Sequence, residues 1–286
     1  MIKRLATFLI FATLLMGCNT QFDVNGKKTI YVTITPLRAR VEEVVGEDYN
    51  IEVLVPKGAS PESFEPTTKN LIALNDAEQI FMIGLINFEQ SLTNSVKESG
   101  RVVNLSEGIE LIAGSCSHCS HAHAHGIDPH IWTSPRALKS MVNTIGTAMQ
   151  TVAPDSIKYR DNADKLIHKL NMLDALCSSK IEANSVDAIM IYHPAFTYYA
   201  HDYGIEQISV EQDGKEPSPR QLATLVETAK KNNIRNILIQ PQYSADKVAP
   251  LATECGAEVV VTDPLAEDIL GEIERVTNII CNYDGE

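Results

Sequence analysis

The segment GSCSHCSHAHAHGIDPHIW, Gly114 to Trp132, holds five of the chain's eight histidines and two of its six cysteines within nineteen residues. Imidazole nitrogen and thiolate sulfur are the donors that bind zinc and its borderline neighbours. His118, His121, His123 and His125 are spaced by three, two and two, with Cys116 and Cys119 as a Cys-x-x-Cys pair among them. That half of the segment has three readings: an auxiliary loop that captures metal weakly, a defined second zinc site, or no binding role, with the two cysteines oxidised together outside the cytoplasm. Its Gly, Ser and Ala residues supply no apolar anchor, which favours the flexible auxiliary loop. His130 is different. Pro129 keeps Asp128 out of the helical region and stiffens the approach, so the backbone itself presents this histidine.

Other candidate donors stand where strands end. Short β-branched runs alternate with helical patterns, as in parallel sheets built from βαβ units. The runs are KTIYVTI from Lys28, YNIEVLV from Tyr49, QIFMIG from Gln79 and RVVNLS from Arg101, then DAIMIYH from Asp187, IEQISV from Ile205, NILIQP from Asn236 and EVVVTD from Glu258. Their start-to-start intervals are 21, 30 and 22 residues in the first set and 18, 31 and 22 in the second, which predicts two lobes of one α/β architecture, each a four-stranded parallel sheet flanked by helices. Ligands of open α/β sheets bind beyond the carboxyl ends of the strands. His193 closes DAIMIYH and Asp263 closes EVVVTD, at equivalent edges of one sheet. Glu62, in the Pro-bounded SPESFEPTT, would be read as a solvated surface carboxylate on its context alone.

Between the two sets lie two helical stretches. The first has Ser134 as N-cap, Pro135 at its first position and an apolar stripe of Leu138, Met141, Val142, Ile145 and Met149. The second starts near Asp155 and keeps helical period through Ala163, Leu166, Ile167, Leu170, Leu173 and Cys177 for some 27 residues, a span of roughly 40 Å. A helix of that length is a stiff spacer between lobes. Cys177 on its stripe is a buried thiol; His168 and His201 are structural histidines, His201 being the spare candidate donor.

Lys3 and Arg4, an apolar run from Leu5 to Met16 and the sequence Leu15-Met16-Gly17-Cys18 form a secretory signal that resembles a bacterial lipobox. The run is too short to cross a bilayer. The mature chain is expected to begin at a lipid-modified Cys18 and to be exported and membrane-anchored, on the periplasmic or cell-surface side. Removing Lys3 and Arg4 from 24 basic residues leaves 22 against 37 acidic ones, a formal charge of −15, which argues against nucleic acid as a partner and mildly favours cations. The expected organisation is a signal peptide over 1–18, a tether over 19–27, an N-terminal lobe over 28–153 that includes the loop 114–126, a linker helix over 154–183 and a C-terminal lobe over 184–286.

Taken in order, SPESFEPTT, the histidine loop, DPHIW, YHPAFTYYAHDYG, EPSPRQL and TDPL resemble the zinc- and manganese-specific solute-binding proteins of bacterial ABC importers, a family that includes proteins once called adhesins. The resemblance covers the whole mature chain. It implies two four-stranded lobes on a rigid helix, one metal in the cleft between them, and a membrane permease with its ATPase as the partner of a monomer. It places ligands at His130, His193 and Asp263, and at Glu62, where the family pattern has histidine. Glutamate binds zinc at about 2.0–2.2 Å, much as histidine does, but two imidazoles with two carboxylates also suit Mn²⁺. The histidine loop, typical of the zinc branch, favours Zn²⁺ as the carried ion, with Mn²⁺ or iron the alternative. The resemblance also suggests a Cys255–Cys281 disulfide. A secreted zinc hydrolase and an adhesive lipoprotein are the remaining classes. The first lacks a His-Glu-x-x-His motif or nucleophile elbow, and the second needs no convergent ligands, so no enzymatic activity is expected.

Overall fold

The computed structural model describes residues 26–96, 99–114, 126–211 and 214–281. Cys18, Cys116, Cys119, His118, His121, His123 and His125 lie outside them. Among the described residues eight strands form two parallel sheets, and each falls within one of the eight runs read from the sequence. The first sheet comprises β1 (Thr29–Val32), β2 (Asn50–Val53), β3 (Gln79–Met82) and β4 (Val102–Asn104) in the order β2-β1-β3-β4. The second comprises β5 (Ala188–Ile191), β6 (Glu206–Ser209), β7 (Asn236–Ile239) and β8 (Glu258–Val261) in the order β6-β5-β7-β8. The registers repeat: Ile30 pairs with Ile51 in one sheet as Ile189 pairs with Gln207 in the other.

In the first half, α1 (Thr35–Val45), α2 (Thr68–Asn75) and α3 (Asn87–Ser95) connect the strands. The middle of the chain is α4 (Pro135–Val152) and α5 (Lys158–Asn184). The Ser134 hydroxyl accepts the Ala137 N–H at 3.0 Å, the capping bond that the Ser-Pro start predicts. The 27-residue α5 buries Ala163, Leu166, Leu170, Leu173, Cys177 and Ile181 on one stripe against α4, α1 and α9. Each buried Leu there contributes about 1.5–3 kcal/mol. The second half carries α6 (Thr197–Asp202), α7 (Pro219–Lys231), α8 (Ala249–Cys255) and α9 (Ile269–Cys281). Among the described residues no helix is long and apolar enough to cross a membrane.

Alternation along β5 sends neighbouring side chains to opposite faces. Met190 packs in a cluster with Leu225 and Ala229 of α7 and Leu251 of α8, whereas Ile189 and Ile191 join the main core with α5 and α9. The expected Cys255–Cys281 disulfide is not formed in this structure. Cys255 ends α8 on the first face and Cys281 ends α9 on the second, both as free thiols. Cys177 is fully buried as expected, its Sγ 3.2 Å from Thr277 Oγ1. His168 and His201 are exposed on α5 and α6, not packed into the fold.

Candidate metal centre

Both sheets direct the carboxyl ends of their strands at one pocket, whose walls include Glu62, Ile86, His130, Trp132, His193 and Tyr243. Glu62 comes from the segment after β2. There Pro61 is buried and opens a single 3-10 turn, Pro61–Ser63, and the Phe64 ring packs edge-on against Phe88 at 5.1 Å. Ile86 is held from behind by Glu89, a fully buried carboxylate that accepts the N–H groups of Ile83, Gly84 and Ile86. Gly84 is required in that turn, since it has φ +84° and a Cβ would sit 1.9 Å from Asn104 Oδ1.

His130 precedes the 3-10 turn Ile131–Thr133 and is 7% exposed. Its backbone N–H and its ring Nδ1 both donate to Asp128 Oδ1, at 2.8 and 2.9 Å, which turns Nε2 to the pocket. Burial would raise the Asp128 carboxyl, but the hydrogen bonds and charge of His130, together with the Thr197 hydrogen bond, hold the group below its ordinary value. His193 follows β5 by two residues, at the point where strand order reverses between β5 and β7. Gln240, just beyond β7, clamps its main chain: Nε2 donates to His193 O at 2.7 Å and Oε1 accepts the His193 N–H at 3.3 Å. The ring donates from Nδ1 to Glu211 at 2.6 Å and from Nε2 to Glu62 at 3.3 Å. Burial alone would lower the His193 pKa, but Glu211 and Glu62 together raise it to about 9. Glu62 is reciprocally lowered, first by the His193 hydrogen bond.

One donor atom each from Glu62, His130 and His193 lies within 4.8 Å of the others, the only such group among the described residues. The two imidazoles meet edge to face at 5.2 Å. Two nitrogens and a carboxylate oxygen suit a divalent transition metal, and each imidazole is backed on Nδ1 by a buried carboxylate, as ligating histidines commonly are.

Asp263 stands apart from this group. It follows β8, its Oδ1 accepts the Leu265 N–H at 3.0 Å, and its N–H donates to Glu272 at 2.8 Å. Burial chiefly pushes its carboxyl above the ordinary value. Its neighbours Pro264 and Leu265 do line the pocket, and Pro264 O accepts the Trp132 Nε1–H at 2.8 Å. Glu211 and Gln240 were missed in the sequence, although both follow strands at the carboxyl edge inspected for donors.

The sequence model of the zinc-uptake complex component A periplasmic family, ZnuA, matches residues 30–275. The zinc-binding lipoprotein AdcA of Streptococcus pneumoniae is 29% identical over 279 residues, covering 92% of this chain and 55% of its own, so the chain spans about half the length of such relatives. The crystal structure of ZnuA superposes with a TM-score of 0.80 at 30% identity, covering 90% of this chain and 98% of that one. A zinc-bound deletion mutant of ZnuA gives 0.79 at 29%, covering 91% and 99%. This chain belongs to the ZnuA family of periplasmic zinc-uptake components.

Proposed function

We propose that this protein is the extracytoplasmic solute-binding component of an ABC importer, which captures a divalent transition metal between its lobes and hands it to a membrane permease. The observation that carries this reading is the convergence of Glu62, His130 and His193 donors within 4.8 Å at the facing carboxyl edges of two sheets. Glu62 and His130 come from the first half of the chain and His193 from the second, so a bound ion ties the lobes together. Asp263 is the fourth donor, exchanging its Leu265 N–H partner for the metal on loading.

Zinc is the carried ion that the AdcA and ZnuA relatives support. Manganese is the second reading, favoured by one observation, the carboxylate of Glu62 as a third donor beside two imidazoles. The process is capture and release without bond chemistry. Export and anchoring through lipidated Cys18, the histidine loop as an auxiliary capture segment, and the monomeric state complete the proposal. Titration of metal-stripped protein with Zn²⁺ and Mn²⁺ tests it: tight, saturable zinc binding that His193→Ala abolishes supports the reading, and wild-type affinity in His193→Ala removes it.

A further inference from the structure

His130 belongs to the first half of the chain, yet the carboxylate that orients it is itself held by the second half. Asp128 is 5% exposed and all of its polar atoms are engaged. Oδ1 accepts both N–H groups of His130. Oδ2 accepts the Thr197 hydroxyl at 2.6 Å. Its carbonyl accepts the Tyr198 hydroxyl at 2.9 Å, and its N–H donates to Ile112 O at 2.9 Å. Thr197 and Tyr198 form the first turn of α6, four and five residues after His193. The chain of bonds continues in both directions. Gln207 on β6 donates to Thr197 Oγ1 at 2.8 Å while accepting the Phe196 N–H at 2.7 Å, and the Tyr198 hydroxyl accepts the Ile112 N–H at 3.2 Å.

We propose that Thr197 and Tyr198 are positioning residues for metal capture, a latch from the second lobe that fixes Asp128 and through it the His130 ring. The inference rests on His130 being a metal ligand, as proposed above. A carboxylate with one oxygen on the imidazole and the other free can rotate and carry the ring with it; with Thr197 on Oδ2, rotation breaks a part-buried hydrogen bond. Buried hydrogen-bonded networks fix geometry in this way when every member is satisfied. Because His193 and this latch lie on one short segment, the spacing between the two ligating imidazoles is set by contacts of that segment with both Asp128 and Gln240. The cleft is therefore built before metal arrives, and zinc meets donors already near their final separation. Neither Thr197 nor Tyr198 offers an atom to the pocket wall.

The test is zinc affinity, the visible d–d spectrum of the Co²⁺-loaded protein and the melting temperature of the metal-free protein, measured for wild type, Thr197→Val, Thr197→Ser and Tyr198→Phe. Thr197→Val and Tyr198→Phe are expected to weaken zinc binding about 10-fold or more, in the range for groups that orient metal ligands, and to shift the cobalt bands. Thr197→Ser, which restores the hydroxyl, returns both readouts to wild type. Wild-type affinity and spectrum in Thr197→Val and Tyr198→Phe overturn the latch. So does an affinity loss that Thr197→Ser fails to rescue, or one that comes with unchanged cobalt bands and a lowered melting temperature. Failure of wild type itself to bind zinc or cobalt would instead overturn the ligand assignment.

Discussion

His193 and Glu211 share a part-buried hydrogen bond of 2.6 Å from ring Nδ1 to carboxylate, with Glu211 only 6% exposed two residues beyond β6. This contact fixes the tautomer that leaves Nε2 for metal and makes the ring a more basic donor. Replacing Glu211 by Gln keeps shape and removes charge. Glu211→Gln is expected to weaken zinc binding about 10- to 100-fold, with the fold intact by circular dichroism; calorimetric titration measures it, and unchanged affinity contradicts the orienting role.

The same contact sets a pH window. The His193 pKa is raised from 6.5 to about 9 in the metal-free fold. Protonation of this group therefore stabilises the metal-free protein fully below about 6.5, and that contribution disappears as pH rises through 9. Zinc needs the neutral ring, so its affinity should climb by about tenfold per pH unit between 7 and 9 as one proton is released. Titrations in buffers of differing ionisation enthalpy count that proton. An affinity flat across this range contradicts the account.

The donors should not be equivalent. His130→Ala and His193→Ala remove atoms already in place and are expected to cost more than about 100-fold in zinc affinity, exceeding the effect of outer groups. Asp263→Ala removes the proposed fourth donor, which would first have to leave the Leu265 N–H, and its cost should be nearer tenfold. Glu62→His should raise the preference for zinc over manganese by trading a hard oxygen for imidazole. Competition against a chelating indicator ranks all four variants.

Trp132 is the chain's one tryptophan, with its ring 5.1 Å from His130 and its Nε1–H on Pro264 O. If Asp263 moves toward the ion as proposed, the adjacent Pro264 carbonyl moves with it. Zinc should therefore change Trp132 emission in wild type, and Asp263→Ala should suppress that change while retaining binding. Identical changes in both would mean that Asp263 stays where it is.

The strands were legible because buried parallel strands read as short β-branched runs bounded by turns, and the long α5 because its stripe holds period over seven turns. His130 was legible through Pro129, and His193 through its place at a strand end. Glu211 stood at a comparable place, two residues beyond β6 as His193 is beyond β5, but a carboxylate there carries no mark of burial in the sequence. Cys255 and Cys281 stand as free thiols; helical pattern shows which side of a helix is apolar, not which neighbour that side meets. Thr197 and Tyr198 look like ordinary helix-starting residues, and only the close approach of Asp128 from the other half of the chain gives them a role.

One ion is expected to sit between Glu62, His130 and His193. The direct measurement is stoichiometric zinc titration of metal-stripped protein lacking residues 115–125, which removes the loop histidines and cysteines as competing donors. The account predicts one tight zinc per chain, lost when His130 and His193 are both changed to Ala. One equivalent still bound tightly by that double variant would contradict it.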